Sequence, residues 1–375
     1  MKIGVPKEVA ENEFRVGLTP SSIKELLKCG HEVFIEKDAG IVCGYTNEQY
    51  EQVGAIVCQT ADEVYVNAKM IVKIQCPQPA EYEFLQKKQI IFSHFDCDTE
   101  LELTKVLLDK KITLISYDEI ETANKKFPVI APYNEIAGKV AVQLGANYLH
   151  KYPEIPVSRG ILLGGISGVY PAKVCILGAG EIGLNAAFIA AGAGASVVVL
   201  DYDVNKLRSL EKTVYGRVQT LFANEDNVSK SVREADLLIS TAKKMPCNEN
   251  YVVTEEMVKS MRTGSVIVDT QSEPFSAVET MERNIGAPFI IKHSIIHCNS
   301  SNLVGLVPRT STIAFNNALL TYLFDIANNQ SLTEALKSIF ELRKGVVTHD
   351  GELTNEKAAK NFEIKFTELS LLVGL

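Results

Sequence analysis

Tryptophan is absent from the 375 residues, and histidine is scarce, at six. No run of 18 apolar residues occurs, so nothing reads as a membrane-spanning helix. Positive charge is in deficit: 38 Lys and Arg face 46 Asp and Glu, a net charge of −8. A net acid has no general electrostatic reason to hold a polyphosphate backbone, so nucleic acid is not an expected partner. Eight cysteines, at 29, 43, 58, 76, 97, 175, 247 and 298, form no Cys-x-x-Cys pair. They read as reduced core thiols rather than a disulfide framework or zinc site. His293 and His297 are spaced i, i+4, but in a stretch that reads as strand or loop, so no metal is expected. Residues 1–8 lack the apolar stretch and cleavage site of a signal peptide, which predicts a cytoplasmic protein. No Gly-x-Ser-x-Gly nucleophile elbow is present.

What is present is an ordinary globular composition, 46% apolar and 22% charged. At roughly 100–200 residues per domain, the length suggests two domains, or three small ones. Short β-branched runs at 2–5, 32–35, 70–74, 90–92 and 113–116 alternate with helical patterns such as 19–29 and 101–109. A long Ala-rich helix over 134–148 opens a second series, with strands at 173–177, 196–200, 237–241 and 265–269. After Pro308 the pattern is helical again, over 312–328 and 332–341. Strands alternating with helices predict parallel pairing and an α/β fold. The expected division is a discontinuous substrate domain, 1–130 with 309–375, around a cofactor domain at 131–308.

The strongest local signal is Gly178-Ala179-Gly180-Glu181-Ile182-Gly183, directly after the strand 173–177 and before an apolar helix. In that setting Gly-x-Gly-x-x-Gly reads as the Rossmann-type dinucleotide loop. Gly178 permits the tight turn, Gly180 lets a pyrophosphate approach the backbone, and Gly183 lets helix and strand pack closely. The helix N-terminus then offers free N–H groups to the phosphates. Asp201, 18 residues beyond Gly183, closes the next strand. A carboxylate there suits the ribose hydroxyls and repels a 2′-phosphate, so NAD is expected over NADP. Lys206 and Arg208 weaken that preference slightly. Lys206 and Thr241, at the end of the strand 237–241, are further cofactor candidates. Read without function, the glycines are a packed turn and Asp201 a turn residue.

Several segments resemble the alanine dehydrogenase and transhydrogenase α-subunit family. They are Ile3-Gly-Val-Pro-Lys-Glu8, Glu13-Phe-Arg15-Val16, Leu18-Thr19-Pro20, Gly30-His31-Glu32-Val33, Ala131-Pro132 with Glu135-Ile136-Ala137-Gly138, Gly164-Gly165, Leu200-Asp201 and Pro308-x-Thr310-Ser311-Thr312. The similarity runs over nearly the whole chain. It implies two α/β domains with a cleft between them, NAD as cofactor, interconversion of an amino acid and a 2-oxo acid, and a homo-oligomer, hexamer or dimer. It also implies that Arg15 grips the substrate carboxylate, for which a bidentate fork is suited.

The resemblance departs at other expected site positions. The family's second cation falls on Gln75, in Lys73-Ile74-Gln75-Cys76-Pro77. Its acid/base His falls on Asp96, in Ser93-His94-Phe95-Asp96, and a later Asp maps onto Glu273. The Ser of its Ser-Glu-Val-Ala-Gly becomes Asn134, a cofactor candidate. Gln75 can still hydrogen-bond but carries no charge, and Asp96 can move a proton only if burial raises its pKa. Strand periodicity puts 73 and 75 on one face, and 94 and 96 on one face, so Lys73 and His94 are possible substitutes. His94 also resembles a Phe-x-His arrangement of saccharopine dehydrogenases. Each of Lys73, His94, Asp96 and Glu273 has an ordinary strand or loop reading as well.

Three functions remain open: an alanine dehydrogenase; a dehydrogenase with altered substrate, such as a diamino acid, opine-type conjugate or cyclic imine; or an NAD-binding protein that has lost catalysis.

Overall fold

The computed structural model describes residues 1–214, 216–242, 251–271, 275–282, 287–298 and 302–375. The chain divides into two compact units, Met1–Tyr133 with Gly305–Leu375, and Asn134–Val304.

The first unit opens with six parallel strands: β1 (Lys2–Val5), β2 (Glu32–Glu36), β3 (Ile56–Cys58), β4 (Met70–Val72), β5 (Ile90–Ser93) and β6 (Thr113–Ser116). Strands β4, β5 and β6 are buried along their whole length, which is why they read as continuous apolar runs rather than alternating ones. Helix Pro20–Lys28 shows why the local reading works. Thr19 accepts from Ser22 N as N-cap, and Pro20 occupies the first turn, where its missing N–H costs nothing. Gly30, at φ +78°, ends it in a Schellman pattern: Gly30 N donates to Leu27 O and His31 N to Leu26 O.

The second unit contributes β7 (Lys173–Leu177), β8 (Ser196–Asp201), β9 (Gln219–Phe222), β10 (Leu237–Ser240), β11 (Val266–Asp269), β12 (Phe289–Lys292) and β13 (Ile295–Cys298), in the order β12-β13-β11-β10-β7-β8-β9. Among the described strands of this unit, only β12 runs antiparallel. The chain then returns to the first unit as β14 (Val346–His349) and β15 (Glu352–Leu353), an antiparallel hairpin added to β6. The first sheet therefore reads β15-β14-β6-β5-β4-β1-β2-β3.

Among the described strands, the parallel part of each sheet reverses its order, between β1 and β4 in the first and between β7 and β10 in the second. Crevices for ligands form beyond the carboxyl ends of the strands at such a reversal. The segments leaving β1, β4, β7 and β10 carry Arg15, Gln75, the glycine loop and Thr241 respectively.

Two expectations change. The strand expected to reach residue 74 ends at Val72. The helix expected over 332–341 is two, Leu332–Ser338 and Phe340–Gly345, because Ile339 takes an extended conformation.

Candidate active site

The glycine loop follows β7. Gly178 has φ +100°, a conformation other residues rarely adopt, and its N–H donates to Leu200 O at 2.7 Å. A Cβ on Gly178 would lie 2.4 Å from Thr241 Oγ1, and one on Gly183 would lie 1.9 Å from the Gly178 carbonyl oxygen. Close packing alone therefore demands glycine at both positions. It does not at Gly180, where a Cβ would meet nothing within 4 Å. Gly180 is the N-cap of helix Glu181–Gly192 and has no capping side chain. The N–H groups of Glu181, Ile182 and Gly183 have no intrahelical acceptor. Backbone donors facing open space over a bare glycine fit a diphosphate.

Three more expected cofactor residues surround the loop. Asp201 ends β8; its carboxylate accepts from Ala179 N at 2.7 Å and from Asp203 N at 2.8 Å. Thr241 donates to Leu177 O at 2.9 Å, so its hydroxyl braces the turn from below. Asn134 Nδ2 donates to Glu181 Oε2 at 3.1 Å, which places the long helix Ala131–Tyr148 beside the loop. Gly138 permits that approach, since a Cβ there would be 2.2 Å from Ile182 O. Lys206 is exposed on helix Val204–Val214.

In the first unit, Arg15 is only 3% exposed and forms a fork with Glu13: Nε to Oε1 at 2.7 Å and Nη2 to Oε2 at 2.6 Å. Burial works against charge on both groups, but each holds the other ionised; the Glu13 carboxyl falls below its ordinary range and the Arg15 pKa rises. The Tyr133 ring lies 5.4 Å from the guanidinium carbon. Gln75 Nε2 donates to Glu13 Oε2 at 3.0 Å, so the resemblance's second-cation position does meet the Arg15 fork.

Lys73 goes elsewhere. It is fully buried, 2.9 Å from Glu81 and 3.3 Å from Glu8. Burial disfavours its charge, but the two carboxylates outweigh this and raise its pKa. Burial raises Glu8. Glu8 also accepts from Ile74 N at 2.6 Å, so this ion cluster fixes the backbone that presents Gln75. The side chains of Lys73 and Gln75 thus have separate partners, although Glu8 also accepts from Gln75 N. The shared-face expectation does not hold for them, because β4 has already ended.

His94 and Asp96 part in the same way. His94 Nδ1 bonds the Asp118 carboxylate, and His94 N donates to Ile74 O at 3.1 Å. Asp96 accepts from Asp98 N at 2.9 Å and Thr99 Oγ1 at 3.0 Å, closing the turn before helix Leu101–Asp109. Glu273 lies outside the described residues. Sequence reasoning missed Asp118 and the buried partners Glu8, Glu13 and Glu81. Two of these sit inside the opening motif, and Asp118 sits just past a strand end, which is the signal that could have found it.

The family is decided by extent. Residues 4–137 match the alanine dehydrogenase/PNT N-terminal domain, and residues 141–356 match the alanine dehydrogenase/PNT C-terminal domain. The chain belongs to the alanine dehydrogenase/PNT family. An alanine dehydrogenase of Methanococcus maripaludis is 41% identical over 369 residues, 98% of each chain. A solved L-alanine dehydrogenase is 38% identical with a TM-score of 0.90, covering 97% of this chain and 99% of its own. A transhydrogenase from Sinorhizobium meliloti, 23% identical with a TM-score of 0.77 over 95% of this chain and 99% of its own, shares the fold. As in that family, the α/β architecture has two units, each with a parallel-strand-rich sheet.

Proposed function

We propose that this family member is an NAD-dependent amino-acid dehydrogenase of the alanine dehydrogenase type, interconverting an L-amino acid with a 2-oxo acid and ammonia. The observation that carries it is Gly180, a glycine that packing does not need, standing at an uncapped helix N-terminus.

Gly180 and the N–H groups of Glu181, Ile182 and Gly183 would hold the pyrophosphate, and Asp201 would accept from the ribose hydroxyls, which disfavours a 2′-phosphate. NAD, when bound, supplies the hydride acceptor for the substrate Cα. Arg15 binds the substrate carboxylate through the guanidinium edge that Glu13 does not use. Gln75 adds a neutral hydrogen bond. His94 takes the proton released as the amine becomes an imine, and returns it as water adds and ammonia leaves. Unit 134–304 is read as the cofactor domain and unit 1–133 with 305–375 as the substrate domain, in a cytoplasmic homo-oligomer. Among the described residues no helix is long and apolar enough to cross a membrane.

A second reading, a substrate carrying an extra ammonium group, is favoured by one feature: Asp96, Glu100 and Asp118 all act on His94. One assay decides between the readings and tests both. The purified chain is incubated with NAD and L-alanine, then with L-ornithine or L-lysine. Turnover of alanine alone supports the first; turnover of the basic amino acids alone supports the second. NADH binding without turnover of any amino acid removes both.

A further inference from the structure

Proton transfer in such a reaction needs an ionisable group held in one orientation and one tautomer. His94 lies one residue past β5 and Asp118 two residues past β6, on adjacent parallel strands in register at Ser93 and Ser116. Both stand at carboxyl ends of strands, the ligand side of such a sheet. The Ile74 carbonyl accepts from His94 N and from Tyr117 Oη. The next residue, Gln75, bonds the Glu13 carboxylate that grips Arg15. One peptide step therefore ties the His94–Asp118 pair to the Arg15 fork. Tyr117 sits between: its ring lies 6.4 Å from that of His94 and 4.7 Å from that of Phe315.

Resting on the dehydrogenase reading, we propose that Asp118 is the positioning residue for proton transfer: it accepts a hydrogen bond from His94 Nδ1–H, fixes the tautomer, and leaves Nε2 to exchange the proton with the substrate. Residue 96, where the resemblance puts the acid/base, is committed to closing its own turn. The pair does its work two residues earlier, with an acid drawn from the neighbouring strand.

The charge balance agrees. Groups acting on His94 are Asp118 and Glu119 from the turn after β6, and Asp96 and Glu100 from the segment before helix Leu101–Asp109, all acidic. Burial opposes a charged ring, and Asp118 foremost among these acids outweighs it, so the His94 pKa lies above its ordinary value. Each turnover moves one proton onto Nε2 and off again.

The test is Asp118→Asn in the full-length chain, which keeps the shape and removes the charge. The pH profile of kcat/KM should move its histidine limb downward by about one pH unit or more. Turnover number should fall about 10–100-fold while the Kd for NADH stays unchanged. Asp118→Glu should restore part of both. The His94 imidazole signal, followed by NMR across the same pH range, should titrate lower in Asp118→Asn than in wild type. An unmoved limb and unmoved titration in Asp118→Asn, or the same shift produced by Asp96→Asn instead, overturns the proposal. A wild-type chain that turns over no amino acid removes the dehydrogenase reading, whereas an unaffected Asp118→Asn in an active enzyme removes this proposal alone.

Discussion

Arg15 and Glu13 illustrate how single residues divide labour. A guanidinium buried without a partner would be costly, and Glu13 neutralises it through one edge. Lysine at 15 keeps the charge but cannot form two parallel bonds in a fixed plane. Arg15→Lys should lower kcat/KM for the amino acid about 10–100-fold, with NADH affinity unchanged, as measured by steady-state kinetics beside fluorescence titration. The glycine loop separates packing from binding in a comparable way. Gly183→Ala drives a Cβ into the Gly178 carbonyl, so both the thermal midpoint and NADH affinity should fall. Gly180→Ala meets no protein atom, so its thermal midpoint should stay near wild type while the Kd for NADH rises tenfold or more. Equal NADH binding in Gly180→Ala and wild type would count against a diphosphate at this loop.

At the scale of elements, β13 carries a proton-linked weakness. His297 is buried, with Nε2 paired to Thr280 Oγ1 at 2.8 Å and Nδ1 near Ile295 O. Burial pushes its pKa down to about 4. The unfolded chain, with an ordinary value near 6.5, therefore binds the proton first as pH falls. Stability from the neutral ring is full above about pH 6.5 and drains away down to about pH 4. Between pH 7 and 4.5 this group should account for about 2 kcal/mol of lost stability. Denaturant titrations at the two pH values should show a correspondingly smaller loss in His297→Gln. Elements also show where sequence reading stops. Thr19, Pro20 and Gly30 mark helix Pro20–Lys28 at both ends, and the apolar runs of β4 to β6, β7, β8, β10 and β11 announce parallel strands, whereas β9, Gln-Thr-Leu-Phe and exposed at both ends, gave no such signal. The β14–β15 hairpin escaped notice although Asp350-Gly351, both at positive φ, is a turn signal. Its strands are short and its pairing with β6 spans more than 200 residues, a separation that local pattern cannot convey.

At the scale of the whole molecule, both sheets use the same device, a reversal of order within their parallel strands, and both of these reversals carry candidate site segments. The proposed homo-oligomer belongs to this scale as well. In the second unit Leu162, Ile166, Val169 and Tyr170 are exposed apolar side chains within nine residues of one another, with Tyr170 95% exposed. Such an exposed apolar patch often meets another protein surface. Tyr170→Glu combined with Ile166→Glu should lower the molecular mass measured by light scattering toward that of one chain. An unchanged mass would show that this patch carries no subunit contact.

The sequence by itself determined the alternation of strands and helices, the glycine loop with Asp201, and the Arg15 motif. These are local: a turn, a cap or an apolar run is written in neighbouring residues, and a diphosphate loop occupies six consecutive positions. Only the tertiary structure decided which charges pair. Lys73 lies two residues from Gln75, yet burial gives it to Glu8 and Glu81, while Gln75 goes to Glu13. His94 lies two residues from Asp96 and takes Asp118 instead. Period-two alternation holds only while a strand lasts, and these side chains stand just beyond strand ends. There, the partner is set by which strand lies alongside and by the high cost of burying a charge alone.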